Sequence, residues 1–159
     1  MTPVSEVYDA FFGLIVDDMY MEISEEETHE ECLDFLRKSI PMYEFPKAPI
    51  KVRMNEDDEP VFNRDLTDEE INILAYGMLQ AWLQRQMTTI ELVRQKFSGV
   101  DFKLTSQASH LKTIMTLFQN TKDEHRRLQM LESRREEVPD GRGGTKYRST
   151  FDLFVKKMY

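Results

Sequence analysis

Apolar residues recur at helical spacing in four stretches of the chain and alternate with polar ones in a fifth. In the first stretch Val7, Phe11, Leu14 and Ile15 follow the i, i+4, i+7, i+8 pattern of one helix face. Thr2 is placed to cap this helix, with Pro3 at its first position, and it is expected to end near Asp17. The second stretch opens on Ser24-Glu25-Glu26-Glu27, a capping box followed by an apolar side made of Cys32, Leu33, Phe35 and Leu36. Its glutamates also suit the positive end of a helix dipole, and Pro41 stops it.

A second capping box, Thr67-Asp68-Glu69-Glu70, starts a long helix whose buried face is Ile71, Leu74, Met78, Trp82 and Leu83. The signal continues through Ile90, Leu92, Val93 and Phe97, with a kink expected at the β-branched pair Thr88-Thr89, and breaks at Ser98-Gly99. Thr105 or Ser106 is the expected cap of a last helix that runs to about Glu136. Leu104, Ala108, Leu111, Met115, Phe118 and Leu128 make its stripe. Met78, Met87, Met115 and Met130 fall within helical patterns and read as gap-filling core.

Residues 41–66 behave differently. Pro41, Pro46, Pro49 and Pro60 forbid a long helix there. Ile50-Lys51-Val52-Arg53-Met54 alternates with the period of a half-buried strand, and Val61-Phe62 can pair back across the polar turn Asn55-Glu56-Asp57-Asp58-Glu59. The segment therefore reads as a small β-hairpin, or else as an extended loop pinned by Tyr43, Phe45 and Phe62.

The fold class that follows is mainly α: a helical bundle built on two long antiparallel helices, with a small hairpin or extended loop and a C-terminal arm. Residues 1–137 form the bundle, including the insertion at 41–66, and residues 138–159 form a hinge and docking arm. The hinge is Val138-Pro139-Asp140-Gly141-Arg142-Gly143-Gly144. The arm carries Lys146, Tyr147, Arg148, Phe151, Leu153, Phe154, Val155, Lys156, Lys157, Met158 and Tyr159, more apolar surface than a solvated terminus holds. These residues are the candidate partner-binding site. Their resting place is either the chain's own domain, a neighbouring subunit or a different protein.

The 159 residues suffice for one domain that buries about two-thirds of its unfolded surface. No apolar run approaches the roughly 20 residues that cross a bilayer, and Met1-Thr2-Pro3-Val4-Ser5-Glu6 lacks the basic start of a signal peptide. A reducing compartment is expected. The single cysteine, Cys32, excludes an internal disulfide and a multi-cysteine metal site. The net charge of −8 hides a gradient: −11 over residues 1–66, zero over 67–137 and +3 over 138–159. An acidic front and a basic tail suit contact between copies of the chain, although the acids also serve simply to solubilise the surface. No basic, aromatic-interleaved face points to sequence-specific DNA binding.

Catalytic constellations are not recognisable. His29, His110 and His125 are scattered and none shares the i, i+3 or i, i+4 spacing of paired metal ligands. There is no nucleophile elbow, phosphate-binding glycine loop or zinc-binding pair. Glu56-Asp57-Asp58-Glu59 lacks the alternating ligands of a calcium loop and reads as a solvated turn. Arg126-Arg127 and Arg134-Arg135 read as complements to the negative end of the last helix. Hence no catalysis, no cofactor and no metal are expected.

One stretch resembles a known group. Phe62-Asn63-Arg64-Asp65-Leu66-Thr67-Asp68-Glu69-Glu70-Ile71-Asn72-Ile73-Leu74-Ala75, on to Trp82-Leu83, is followed by Lys96-Phe97-Ser98-Gly99-Val100-Asp101-Phe102-Lys103-Leu104-Thr105-Ser106-Gln107-Ala108-Ser109-His110-Leu111. With the Phe11-Phe12 helix and the Ile40-Pro41 stop, this resembles small structural proteins of tailed bacteriophages over about residues 6–135. Within that group it looks most like the head–tail connector class, also called adaptor or neck proteins.

The resemblance implies a ring of about a dozen copies held by a heterologous interface. It implies an arm that docks on the portal protein, and a platform for the next neck or tail protein. DNA would pass through the channel without specific binding. The location implied is the virion neck, and the host cytoplasm during assembly, with no membrane contact. The alternatives are another neck or tail-completion protein, or a soluble cytoplasmic adaptor or regulatory protein that docks through its tail.

Overall fold

The computed structural model describes residues 1–15, 24–96, 104–139 and 145–149; at residues 25, 93–96, 104–108, 136–139 and 145–149 only the backbone is described. The protein is mainly α-helical, with four helices among the described residues: α1 (Val4–Phe12), α2 (Glu25–Ser39), α3 (Asp68–Lys96) and α4 (Leu104–Ser133). Two small antiparallel hairpins accompany them, β1 (Val52–Met54) with β2 (Pro60–Phe62), and β3 (Arg135–Pro139) with β4 (Thr145–Ser149). No helix among the described residues is long and apolar enough to cross a membrane.

Local chemistry places the helix starts. The Ser24 hydroxyl accepts from the Glu27 amide at 3.3 Å and the Glu27 carboxylate accepts from the Ser24 amide, so both halves of the capping box form. The second box forms likewise: Glu70 N–H donates to Thr67 Oγ1, and Thr67 N–H donates to Glu70 Oε2 at 3.1 Å. Thr2 does not cap α1. Pro3 holds the cap position, and the Thr2 hydroxyl instead accepts from the Leu66 amide at 2.9 Å. Phe62 N–H donates to the Thr2 carbonyl, and Pro3 bridges Val61, so the start of the chain lies along β2. Gly13 ends α1 earlier than the expected Asp17, which lies outside the described residues.

The β1–β2 hairpin forms as the alternation predicts, with Val52 opposite Phe62 and Met54 opposite Pro60. Its turn is held by the Asn55 side chain, which accepts from the amides of Asp57 and Glu59 at 2.9 and 2.8 Å. Asp58 takes a positive φ of 59°, which the aspartate side chain tolerates.

The 29-residue α3 and the 30-residue α4 are each about 45 Å long. Arg135, just past the end of α4, pairs with Glu69 at the start of α3, while His125 meets Gln80 further along. The pairs run in opposite order, so the helices are antiparallel. From Ile73 to Leu83, α3 is buried nearly all round, because α1 and α2 pack on one side and α4 on the other. Beyond Leu83, among the described side chains of α3, only Gln86, Met87 and Ile90 stay half-buried.

The core is Val4, Val7, Phe11, Cys32, Phe35, Leu36, Phe62, Leu74 and Met78 with their neighbours. Burial pushes the Cys32 thiol up to about 12, which leaves it inert.

Several expectations need correction. α3 runs unbroken through Thr88 and Thr89, whose hydroxyls donate to the carbonyls of Gln84 and Arg85 instead of opening a kink. Thr105 and Ser106 lie inside α4, not at its cap. Met115 and Met130 are exposed and do not fill the core, because they project from flanks of α4 that no described element covers. Leu14, just past the end of α1, and Leu92, near the end of α3, are exposed as well. α4 stops at Ser133, and the stretch read as a hinge is partly strand: Pro139 and Val138 pair with Thr145 and Lys146. Arg126 and Arg127 sit nearly two turns before the end of α4, and Arg127 is held by Glu124 at 2.7 Å.

Candidate functional site

A groove of about 580 Å³ lies between the turn after α2 and the facing surfaces of α3 and α4. Pro41 ends α2 in a tight 3₁₀ turn, Ile40–Met42, and the chain then crosses α4 near its C-terminal end. Gln129 fixes that crossing. Its Nε2 donates to the Met42 carbonyl at 3.1 Å, and its Oε1 accepts from the Glu44 amide at 2.8 Å. The turn therefore stands as one wall and α4 as the other.

The floor is polar and largely buried. Gln80 of α3 and His125 and Gln129 of α4 are all buried, and Gln80 Nε2 lies 2.5 Å from His125 Nδ1. Gln129 Nε2 lies 3.1 Å from His125 Nε2, one turn along the helix. Burial holds the His125 imidazole below its ordinary pKa, because an imidazolium here has little water to solvate it. The rim is mixed: Pro41, Met42 and Phe45 on the turn and Phe118 and Met130 on α4 are apolar, while Glu44, Gln84, Lys122 and Arg126 are polar or charged and exposed. Phe45 is 60% exposed and Met130 42% exposed, so the rim offers unburied aromatic and thioether surface.

A knot of ion pairs braces this end of the bundle. Arg64 grips Glu70 with two bonds, at 2.8 and 2.5 Å. Burial alone would raise the Glu70 carboxyl; the Arg64 guanidinium and the Thr67 amide outweigh it and hold the group below the usual carboxylate range. Lys47 pairs with the buried Glu132 of α4 at 2.9 Å, tying the same loop to the helix.

The histidines do not converge. His29 on α2 is exposed and meets the Tyr8 ring edge-on at 5.4 Å, His110 is exposed on α4, and His125 is buried about four turns later. Among the described residues no group of histidine, cysteine and acidic side chains is placed to hold a metal ion.

The candidate arm is described in part. Lys146, Tyr147 and Arg148 lie on β4, in register with Val138, Glu137 and Glu136 of β3. Phe151, Leu153, Phe154, Val155, Lys156, Lys157, Met158 and Tyr159 lie outside the described residues. The hairpin roots the arm at one end of the bundle, because Ser149 is paired with Arg135 and Arg135 is bound to Glu69. The groove itself had no signal of its own in the sequence. Phe118 and Met130 are indistinguishable from core positions by spacing, and Gln80 and Gln129 belong to no motif.

No family model, no curated protein and no solved structure matches this chain.

Proposed function

We propose that this chain is a structural protein of a tailed-phage particle, a head–tail connector whose copies form a ring between the portal and the neck or tail. The observation that carries the reading is the placement of two unlike surfaces at opposite ends of one long helical pair. At one end α3 and α4 outrun the cover of α1 and α2, which leaves Leu92, Met115 and Leu117 at least half exposed. At the other end the β3–β4 hairpin emits the aromatic and basic segment that follows Ser149.

A protein that joins two different layers needs two such surfaces. A ring also needs a heterologous contact between unlike patches on neighbouring copies, and the uncovered flanks of α3 and α4 supply apolar area for it. The resemblance of about residues 6–135 to phage structural proteins supports the same reading. The arm, from Lys146 to Tyr159, is the part that engages the portal.

Size-exclusion chromatography of the chain with a portal protein tests the proposal. Co-migration is expected, and it is lost when residues 142–159 are deleted. Co-migration that survives the deletion removes the arm from the mechanism, and failure of the intact chain to bind removes the connector role.

A further inference from the structure

We infer that the groove receives the acidic turn of the β1–β2 hairpin from a second copy of the chain. This deepens the reading of the chain as a ring subunit by naming a contact between neighbours, and it does not involve the portal. Charge, shape and exposed apolar surface each favour this occupant.

The charge of the groove is unbalanced. Lys122 and Arg126 line it from α4, one turn or about 6 Å apart, and both are exposed. Like charges at this spacing disfavour a helix unless something offsets them. Other surface cations of the bundle have carboxylates: Arg85 has Glu31, Lys47 has Glu132 and Arg127 has Glu124. Among the described residues Lys122 and Arg126 have none. Glu44, on the facing wall, is the one carboxylate among the lining residues.

The hairpin turn has the opposite character. Glu56, Asp57, Asp58 and Glu59 are all exposed, and none is in an ion pair among the described residues. The Asn55 side chain holds the Asp57 and Glu59 amides, so these carboxylates stand on a fixed knuckle. Two strands about 4.8 Å apart carry it, a narrower projection than a helix of about 10 Å. The start of α2 is the other acidic surface, but it is a helix with engaged carboxylates. Glu27 closes the capping box, Glu31 holds Arg85 and Asp34 holds Lys38.

Apolar surface matches as well. Met54, at the end of β1, is 59% exposed, and Phe45 in the groove is 60% exposed. A thioether against an aromatic ring is favourable and tolerates irregular fit. Arg53, exposed beside Met54, offers a cation to Glu44. A volume of about 580 Å³ takes the few side chains of such a turn.

No residue of the hairpin lines the groove of its own subunit. Groove and hairpin are therefore unlike patches of one chain, and their contact is heterologous: it closes into a ring or continues as a filament. The paired charges steer neighbours together and fix their register.

Sedimentation of the intact chain at low salt tests this beside two variants. The groove variant carries Lys122→Glu and Arg126→Glu; the hairpin variant carries Glu56→Lys, Asp57→Lys and Glu59→Lys. All five positions are exposed, so thermal melts are expected to be unchanged. The intact chain is expected to self-associate, less so as salt is raised. Each variant is expected to associate at least tenfold more weakly. An equimolar mixture of the two is expected to recover association, because every groove then meets a hairpin of opposite charge.

An intact chain that stays monomeric overturns the inference, as does a mixture no stronger than its separate parts. Association that both variants retain also overturns it, and places the contact between copies elsewhere while leaving the ring reading intact. Loss of portal co-migration would strike the connector role without touching this contact.

Discussion

The Ser39 hydroxyl donates to the Leu74 carbonyl at 2.7 Å and fills the space in which Gly77 would carry a side chain. Both residues are fully buried where the end of α2 crosses α3. A Cβ on Gly77 would stand 3.0 Å from Ser39 Cβ and closer still to its oxygen. Gly77→Ala gains about 1 kcal/mol of helix propensity but overpacks a rigid crossing, which costs about 1–3 kcal/mol. The overlap is with a short side chain next to backbone, which cannot move away, so the loss wins. The urea midpoint is expected to fall, and Ser39→Ala in the same chain is expected to recover part of it. A midpoint at or above that of the parent would show that α2 sits further from α3.

Arg64 and Glu70 form the second test. Glu70 is 2% exposed and depends on Arg64 for charge balance. Arg64→Met leaves a buried carboxylate with only the Thr67 amide. Because the Arg64 side chain itself is a quarter exposed, the cost falls at the low end of the range for a broken buried pair, about 3 kcal/mol. Arg64→Met with Glu70→Gln is expected to lose less than Arg64→Met alone, since the glutamine oxygen still accepts from Thr67. Denaturant melts of the single and double variants measure this, and equal losses would show that the charge is not what matters.

Acid should unfold the protein in two stages. His125 has a folded pKa below its ordinary 6.5, so the unfolded chain binds the proton first. Its contribution is complete above 6.5 and is lost as pH falls from there towards the folded value. Glu70 also has a folded pKa below its ordinary 4.5, so its contribution begins to fall only below that value. Stability measured from pH 7.5 to 5 should drop, and His125→Gln should flatten that segment while leaving the fall below pH 4.5. A parent chain with no change between pH 7.5 and 5 would place His125 in water.

The elements that a reader finds in the sequence are those with local causes. Ser24 with Glu27 and Thr67 with Glu70 specify helix starts because the two bonds of each box close within four residues. The alternation of residues 50–54 specifies β1 because one face must meet Phe62. The β3–β4 hairpin has no such signal: the Arg135–Pro139 strand mixes charge and proline, and the glycines after it read as a hinge. The groove was hidden for a different reason. Gln80, His125 and Gln129 are polar, and periodicity assigns polar residues to solvent. They are buried because α3 and α4 pack together here and the turn after Pro41 folds across α4, the latter a contact between residues more than eighty positions apart.

That long-range contact is itself testable through Gln129. Its amide is the sole side chain among the described residues seen to bond both the Met42 carbonyl and the Glu44 amide. Gln129→Ala leaves both groups without their partner at the edge of the groove, where water can reach them in part. The loss of global stability is therefore modest, about 1–2 kcal/mol. The local effect is larger in kind. Without Gln129 the turn keeps the buried Tyr43 ring and the Lys47–Glu132 ion pair, whose lysine is exposed, as its ties. Amide exchange at Glu44 should accelerate by at least tenfold relative to amides in the middle of α3, because opening of the turn no longer requires breaking that bond. Exchange at Glu44 that stays as slow as in the parent would mean that Pro41 and Pro46 alone stiffen the turn, and Gln129 would then be a passive occupant of the floor.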